Sequence, residues 1–315
     1  MSSPPSSQHS PPIYVYDRQQ QQRIEEKVMS RSGVDFLYAH PVGRLLEHYL
    51  LSHPLISKVA GHLKSRQGKK SIQEFIDTYH INTDDMTDPV EQFETFGEFF
   101  IRKLTPEARP LPEDPRRLIA AADARLLCFP VDTTHRYIPV KGYSYSLYEL
   151  LENRALAQQF AGGWILIYRL APVDYHRYCY IDDGVQTPHV TLQGRLHSVN
   201  PVAIDTQAPI FARNAREYCL LKTRRFGTVL HMDVGALIVG KIVQQHPQSH
   251  RFNRGEEKGY FEFGGSTIIQ IFMPGKVTPD ADLIARSVEG IETLVQYGSG
   301  IGMSTNIEGT PCENA

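Results

Sequence analysis

The chain has 315 residues, of which 41% are apolar and 22% charged, with a formal net charge of −2. This length and composition suit one large or two ordinary globular domains with a substantial core. They exclude the basic footprint of a nucleic-acid binder, no run of 18 apolar residues provides a transmembrane helix, and "MSSPPSSQHSPP" lacks the apolar stretch of a secretory signal.

In chain order, residues 1–12 are Ser- and Pro-rich and are expected to be a disordered tail. Residues 13–117 read as an N-terminal, mainly helical segment. Leu45, Leu46, Tyr49 and Leu50 follow Pro41 at helical spacing, and Leu55, Ile56, Val59 and Leu63 follow Pro54, so two short amphipathic helices are expected. Their apolar faces either pack on the protein's own core or, with Arg44, Lys58, Lys64, Arg66, Lys69 and Lys70 nearby, rest on a membrane surface. "SIQEFIDTYHI" predicts a further helix, and "FGEFFIRKL" carries helical character to Leu104 before four prolines in "PEARPLPEDPRR" break it.

From residue 118 to 315 short apolar runs separated by turn residues predict a β-rich core, interrupted by one helix over 146–160. The fold class expected is α+β: N-terminal amphipathic helices packed on a mainly antiparallel β core. No solenoid or propeller repeat is present.

Cys128, Cys179, Cys219 and Cys312 form no C-x-x-C pair, so the cysteines suggest neither a zinc site nor a disulfide framework, and no metal is assigned. A reducing compartment is the simpler expectation. Taken singly, Asp123 reads as a turn or cap residue and His176 as a structural histidine among aromatics. In "KGYFEFGGSTIIQIF", the Gly264-Gly265 pair before an apolar run reads as a bulge or bend. There is no P-loop, G-x-S-x-G elbow, H-E-x-x-H or Rossmann fingerprint.

The joint order of longer strings carries more. "FFIRKL" with "RPLP" at 99–112, the Asp123 string, "VKGYSYSLYELL", "LAPVDYHRY", "SVNP", "FARNAREY", "VGALIVGKI", "RGEEKGYFEFGGSTII" and "MPGKV" cover most of residues 35–300. In that order they resemble the phosphatidylserine decarboxylases, self-processing enzymes that depend on a pyruvoyl group. The resemblance implies cleavage between Gly265 and Ser266, giving a β chain of 1–265 and an α chain of 266–315. An N-to-O acyl shift, β-elimination and loss of ammonia would convert Ser266 into a pyruvoyl cofactor, which condenses with the substrate amine as a Schiff base and accepts the electrons that carbon dioxide leaves behind. This would explain why no cofactor-binding motif is present.

By the same resemblance, Asp123 is the acid that orients a base for self-cleavage, and His176 acts in decarboxylation as a proton donor or a binder of substrate phosphate or carboxylate. The family's base histidine is Cys179 in this chain. Three readings stand: a tuned thiolate base, which requires a neighbour that lowers the thiol pKa; another histidine, such as His197 or His231, in the role; or an unprocessed, weakly active or inactive relative. The function expected is decarboxylation of phosphatidylserine to phosphatidylethanolamine by a protein held peripherally on a membrane, at its cytoplasmic face. The alternatives are decarboxylation of a soluble amino acid and a non-catalytic lipid-binding relative, and a homo-oligomer is left open.

Overall fold

The structure, a computed structural model, describes residues 12–26, 53–132, 137–140, 143–197, 210–236, 241–262 and 266–306. The tail expected over 1–12, apart from Pro12, the helix expected after Pro41, and Gly264 and Gly265 lie outside the described residues.

Eleven described strands form one large sheet. Its central run is, in spatial order, Arg216–Thr223, Thr228–Val234, Ser266–Phe272, Trp164–Leu170, Ala124–Pro130 and Thr293–Val295, all paired antiparallel. Side chains alternate between its faces, as a pleated strand requires. Leu127, Ile165, Ile167, Leu230, Ile269 and Ile271 belong to one core, shared with the helices Leu147–Leu151 and Arg154–Gln159. Leu126, Leu166, Tyr168, Leu170, Ile268 and Phe272 belong to the other, shared with Leu118, Tyr178, Cys179, Phe261 and Ile301 from two small three-stranded sheets. With both faces covered, all seven residues of Ser266–Phe272 are buried, which is why this stretch reads as an apolar run rather than as an alternating one.

Two further features correct the expected organisation. Residues 14–25 are not helical: Tyr14–Asp17 and Gln22–Glu25 form a hairpin at one edge of the large sheet, Tyr14–Asp17 pairing parallel to Thr293–Val295. Gln21 takes a positive φ of 54° in the turn. Strands of only four residues are too short to give a clear period in the sequence. Helices do follow, at Pro54–Ser65, Lys69–Tyr79 and Phe96–Phe100, the last opened by a capping box between Thr95 and Glu98. The last helix stops at Phe100 instead of continuing to Leu104, because the chain leaves helical geometry at Ile101 and Leu104 bridges to Met86. Ile72, Phe75, Phe93, Phe96, Phe99 and Phe100 build a satellite core of their own, which Val173 joins from the loop after Trp164–Leu170.

A buried ion network ties the N-terminal hairpin to the centre. Arg169 donates to Glu292 and Glu26, and Arg125 pairs with Glu26 and Asp174, all of them nearly inaccessible. The two cations hold the Glu26 carboxyl below its ordinary range against the opposing effect of burial. Removing one partner of such a network leaves uncompensated buried charge. Arg169→Met is therefore expected to destabilise the protein by about 3–5 kcal/mol in denaturant titration; a loss under about 1 kcal/mol, the scale of an exposed pair, would show that the network contributes little.

Candidate active site

Strand register brings the sequence candidates to one end of the large sheet. Ser266, the first residue of its strand, lies opposite Leu170, and the register one residue earlier, Arg125 with Arg169, places Ala124 opposite Leu170 in turn. At about 4.8 Å per strand, Ser266 and Ala124 are about 10 Å apart, with Asp123 immediately before Ala124. His176 lies in the loop beyond Leu170, and its carbonyl accepts a hydrogen bond from Phe261 N at 3.0 Å, just upstream of Ser266. Cys179 N donates to Ala121 O at 2.9 Å, two residues before Asp123.

Ser266 is fully buried, and its Oγ has no hydrogen-bond partner among the described residues; Thr267 Oγ1, on the opposite face of the strand, is in the same condition. A buried hydroxyl left without a partner costs about 1–3 kcal/mol, so two in succession at the entrance to the central strand mark it as a candidate functional position.

Asp123 is fixed, but not by a histidine. Arg109 grips both of its oxygens, with Nε to Oδ1 at 2.9 Å and Nη2 to Oδ2 at 2.6 Å, and Tyr297 N donates to Oδ1 at 2.7 Å. Burial opposes charge on Arg109, while the bonds to Asp123 and Asp85 outweigh it and raise its pKa. Arg102, nearly buried beside this carboxylate, is pushed down to about 10 by desolvation, and its Nε has no hydrogen-bond partner.

His176 is completely buried, its ring packed on Phe100 at 4.0 Å between centroids. Its Nδ1 lies 3.0 Å from the carbonyl of Asp174, which can only accept, so Nδ1 is the donor in that bond. The loop that carries it is pinned by Asp174, whose carboxylate accepts from Ala171 N at 2.7 Å and from Arg125.

Cys179 is as buried as His176, and burial pushes its thiol up to about 12, although the Tyr297 hydroxyl acts in the opposite direction. Sγ donates weakly to Ala120 O at 3.8 Å. The neighbour that a thiolate base needs does not prevail here. His231 is not at this end: Val234 pairs with Thr267, so His231 lies four residues along its strand from the position facing Ser266, about 13 Å away. It is occupied by Asp233, whose Oδ1 is 3.1 Å from Nε2. His197 is closer in topology, because Asn214 Nδ2 donates both to the His197 carbonyl at 2.9 Å and to that of Gly235 at 2.8 Å, the residue following Val234.

Arg102, Arg109, Asp174 and Tyr297 were not singled out from the sequence. Arg102 and Arg109 lie within strings quoted above, but their proximity to Asp123 depends on a chain reversal that the sequence does not display. Two cavities flank the Arg109–Asp123 pair, Arg109 lining one and Asp123 the other. One of about 490 Å³ is lined by Lys103, Arg109, Tyr175, Glu257 and Tyr297, and one of about 310 Å³ by Arg18, Asp123, Asp174 and Gln296, among others.

With burial pushing its pKa up to about 12, Cys179 is a thiol rather than a thiolate at pH 8. Cys128 and Cys219 are also buried and pushed up to about 11. All three are expected to resist iodoacetamide at pH 8 in the native protein and to react once it is unfolded in guanidinium, as read by peptide mass spectrometry. Rapid native labelling of Cys179 would restore the thiolate reading.

The model of the family described as "Phosphatidylserine decarboxylase" matches residues 96–302. Proteins named "Phosphatidylserine decarboxylase proenzyme" are similar along most of their length. That of Clostridium novyi (strain NT) is 40% identical over 291 residues, 92% of this chain and 99% of the relative. The Ruminiclostridium cellulolyticum protein is 39% identical, covering 92% and 97%, and one from Clostridium perfringens is 37% identical, covering 92% and 99%. The match spans the Ser266 strand, both loops beside it and the Arg109–Asp123 pair, and on this ground the chain belongs to the phosphatidylserine decarboxylase family.

Proposed function

We propose that this protein decarboxylates phosphatidylserine to phosphatidylethanolamine through a pyruvoyl group made from Ser266 by cleavage of the 265–266 bond. The observation that carries the reading is the fully buried Ser266 Oγ, without a hydrogen-bond partner among the described residues, at the first residue of the central strand. That position fits a serine-derived carbonyl group, because it is shielded from water and the strand that follows it is packed on both faces. When present, such a group supplies a carbonyl that condenses with the substrate amine and takes up the electron pair left by carbon dioxide.

The residues around it divide the remaining work. Burial of Ser266, His176 and Leu170 keeps water from the reacting end of the sheet. His176 holds or delivers a proton at Nε2, its tautomer set by Asp174. Asp123, immobilised by Arg109 and Tyr297, keeps a fixed negative charge at this end, and Lys103 and Arg109 place positive charge on the larger cavity, where a phosphate headgroup would enter. With Cys179 held as a thiol, self-cleavage proceeds without the family's histidine base, and His197 is the remaining sequence candidate that the topology keeps near this end.

We read residues 118–315 as the catalytic unit and the preceding helical segment as a membrane-facing element. Among the described residues no helix is long and apolar enough to cross a membrane. On the helix Pro54–Ser65, however, Ile56, Val59 and Leu63 recur at helical spacing and are exposed, 60% for Val59 and 65% for Leu63. Apolar residues exposed at this spacing favour the interfacial reading of the helix, and with it the lipid over a soluble amino acid.

Purified wild type is expected to give two bands on a denaturing gel, the smaller refractory to N-terminal sequencing, and Ser266→Ala a single inactive chain. An intact wild-type chain with an unmodified Ser266 would leave the protein an unprocessed relative, and activity on free serine without activity on lipid would transfer the reaction to soluble substrates. Cys179→His is expected to accelerate self-cleavage by about a hundredfold or more, the usual contribution of a positioned base. Equal rates in the two proteins would show that another group already serves. Val59→Asp with Leu63→Asp should abolish co-sedimentation with liposomes while sparing turnover of detergent-dispersed phosphatidylserine; unchanged sedimentation would remove the helix from the membrane.

A further inference from the structure

Away from the reacting end of the sheet, His246, His250 and Glu256 converge, and their ligating atoms all lie within 4.8 Å of one another. We propose that they form a binding site for a divalent transition-metal ion, zinc being the best match to two imidazoles and a carboxylate with water completing the set. Neither a C-x-x-C nor an H-E-x-x-H motif marks this group in the sequence. These ligands come instead from a loop, an edge strand and a turn.

Three features distinguish this group from an ordinary polar cluster. The first is convergence. The Nε2 atoms of His246 and His250 lie 3.7 and 2.7 Å from the same oxygen, Glu256 Oε1. A tetrahedral ion with bonds of about 2.0–2.1 Å sets its ligands about 3.3 Å apart. Both separations reach that value by shifts of well under 1 Å, and binding would also turn the two rings out of their present stack, 3.4 Å between centroids and 13° from parallel, because an imidazole meets an ion in its own ring plane. His246 Nε2 is too far from Oε1 for a hydrogen bond.

The second feature is support behind the ligands. Glu256 Oε2, the oxygen facing away from the histidines, accepts from Asn253 N at 3.0 Å and from Asn253 Nδ2 at 3.3 Å, which orients Oε1 toward them. The loop that carries His246 is fastened from below by the buried Gln186, whose amide donates to the His246 carbonyl and, at 2.8 Å, to that of Gln248, while Tyr180 donates to its Oε1 at 2.8 Å. His189 N adds a bond to Pro247 O at 3.2 Å. The third is access: the side chains of all three ligands are between about a quarter and two-fifths exposed, so an ion can enter from solvent.

Such an ion would clip the 245–250 loop to the turn at 253–256. The carbonyl of Gly255 in that turn accepts from the Tyr297 hydroxyl at 2.9 Å, and Tyr297 N holds Asp123. The metal would thus stiffen the scaffold behind the reacting end without touching it.

The test uses tag-free, full-length protein stripped with a chelator and titrated calorimetrically with zinc, and separately with cobalt(II) in an absorbance titration. One equivalent of zinc is expected at micromolar concentration, with a rise in thermal midpoint. Glu256→Gln and His250→Ala should each weaken binding at least tenfold and abolish that rise, and Asn253→Ala should weaken it by about 10–100-fold. Cobalt(II) should give visible ligand-field bands without thiolate charge-transfer absorption. Absence of zinc binding, binding unchanged in Glu256→Gln, or a thiolate band would overturn the proposal. The isosteric Glu256→Gln decides the matter should His250→Ala fail to fold. Because none of these readouts requires a processed Ser266, they stand apart from the decarboxylase reading.

Discussion

The strand Ser266–Phe272 is the constraint on which the rest of the molecule depends. It is paired along its whole length with Trp164–Leu170 and along nearly all of it with Thr228–Val234, and it is buried on both faces. A chain cut immediately before such a strand does not come apart. Its hydrogen bonds and the two cores it separates hold the fragments together, so no disulfide is needed. The same burial suits this position to the proposed cut: a hydroxyl at the first residue of a core strand is shielded from water and anchored by the well-packed residues after it.

Around that strand, charged groups do the positioning. Arg169 and Arg125 are buried with Glu26, Glu292 and Asp174, and this network runs from the N-terminal hairpin to the loop that carries His176. The hairpin, which contributes little apolar area of its own, is thereby coupled to the geometry of the reacting end. On the other side, Arg109 and Tyr297 fix Asp123. Cys179 stands among these groups as a buried thiol rather than as an ion, since desolvation outweighs its one favourable hydroxyl neighbour.

Much of this was legible in the residues. The β-rich core and the apolar run after Ser266 follow from periodicity, and the ordered strings identified the family, whereas the single helix expected over 146–160 is two, Leu147–Leu151 and Arg154–Gln159, because Glu152 between them takes a positive φ of 51°. The N-terminal hairpin was not legible, because strands of only four residues are too short to give a period. Nor was the end of the Phe96–Phe100 helix: "FFIRKL" has the composition to continue, but the chain turns out at Ile101 and Leu104 is drawn to Met86. The site was legible as four residue identities, Asp123, His176, Cys179 and Ser266. It was not legible as a set of partners, because Arg109 lies 14 residues from Asp123, and Tyr297 lies 174.

By itself, then, the sequence determined the class of fold, the family and the serine at which the chain is expected to break, because periodicity, composition and motif order are properties of the string. Tertiary structure alone decided which groups face one another. Register placed His231 about 13 Å along its strand from the position opposite Ser266, burial turned Cys179 into a thiol, and chain reversal gave Asp123 an arginine instead of a histidine. Each of these outcomes depends on distance and desolvation between residues far apart in the chain, quantities that no local pattern of amino acids encodes.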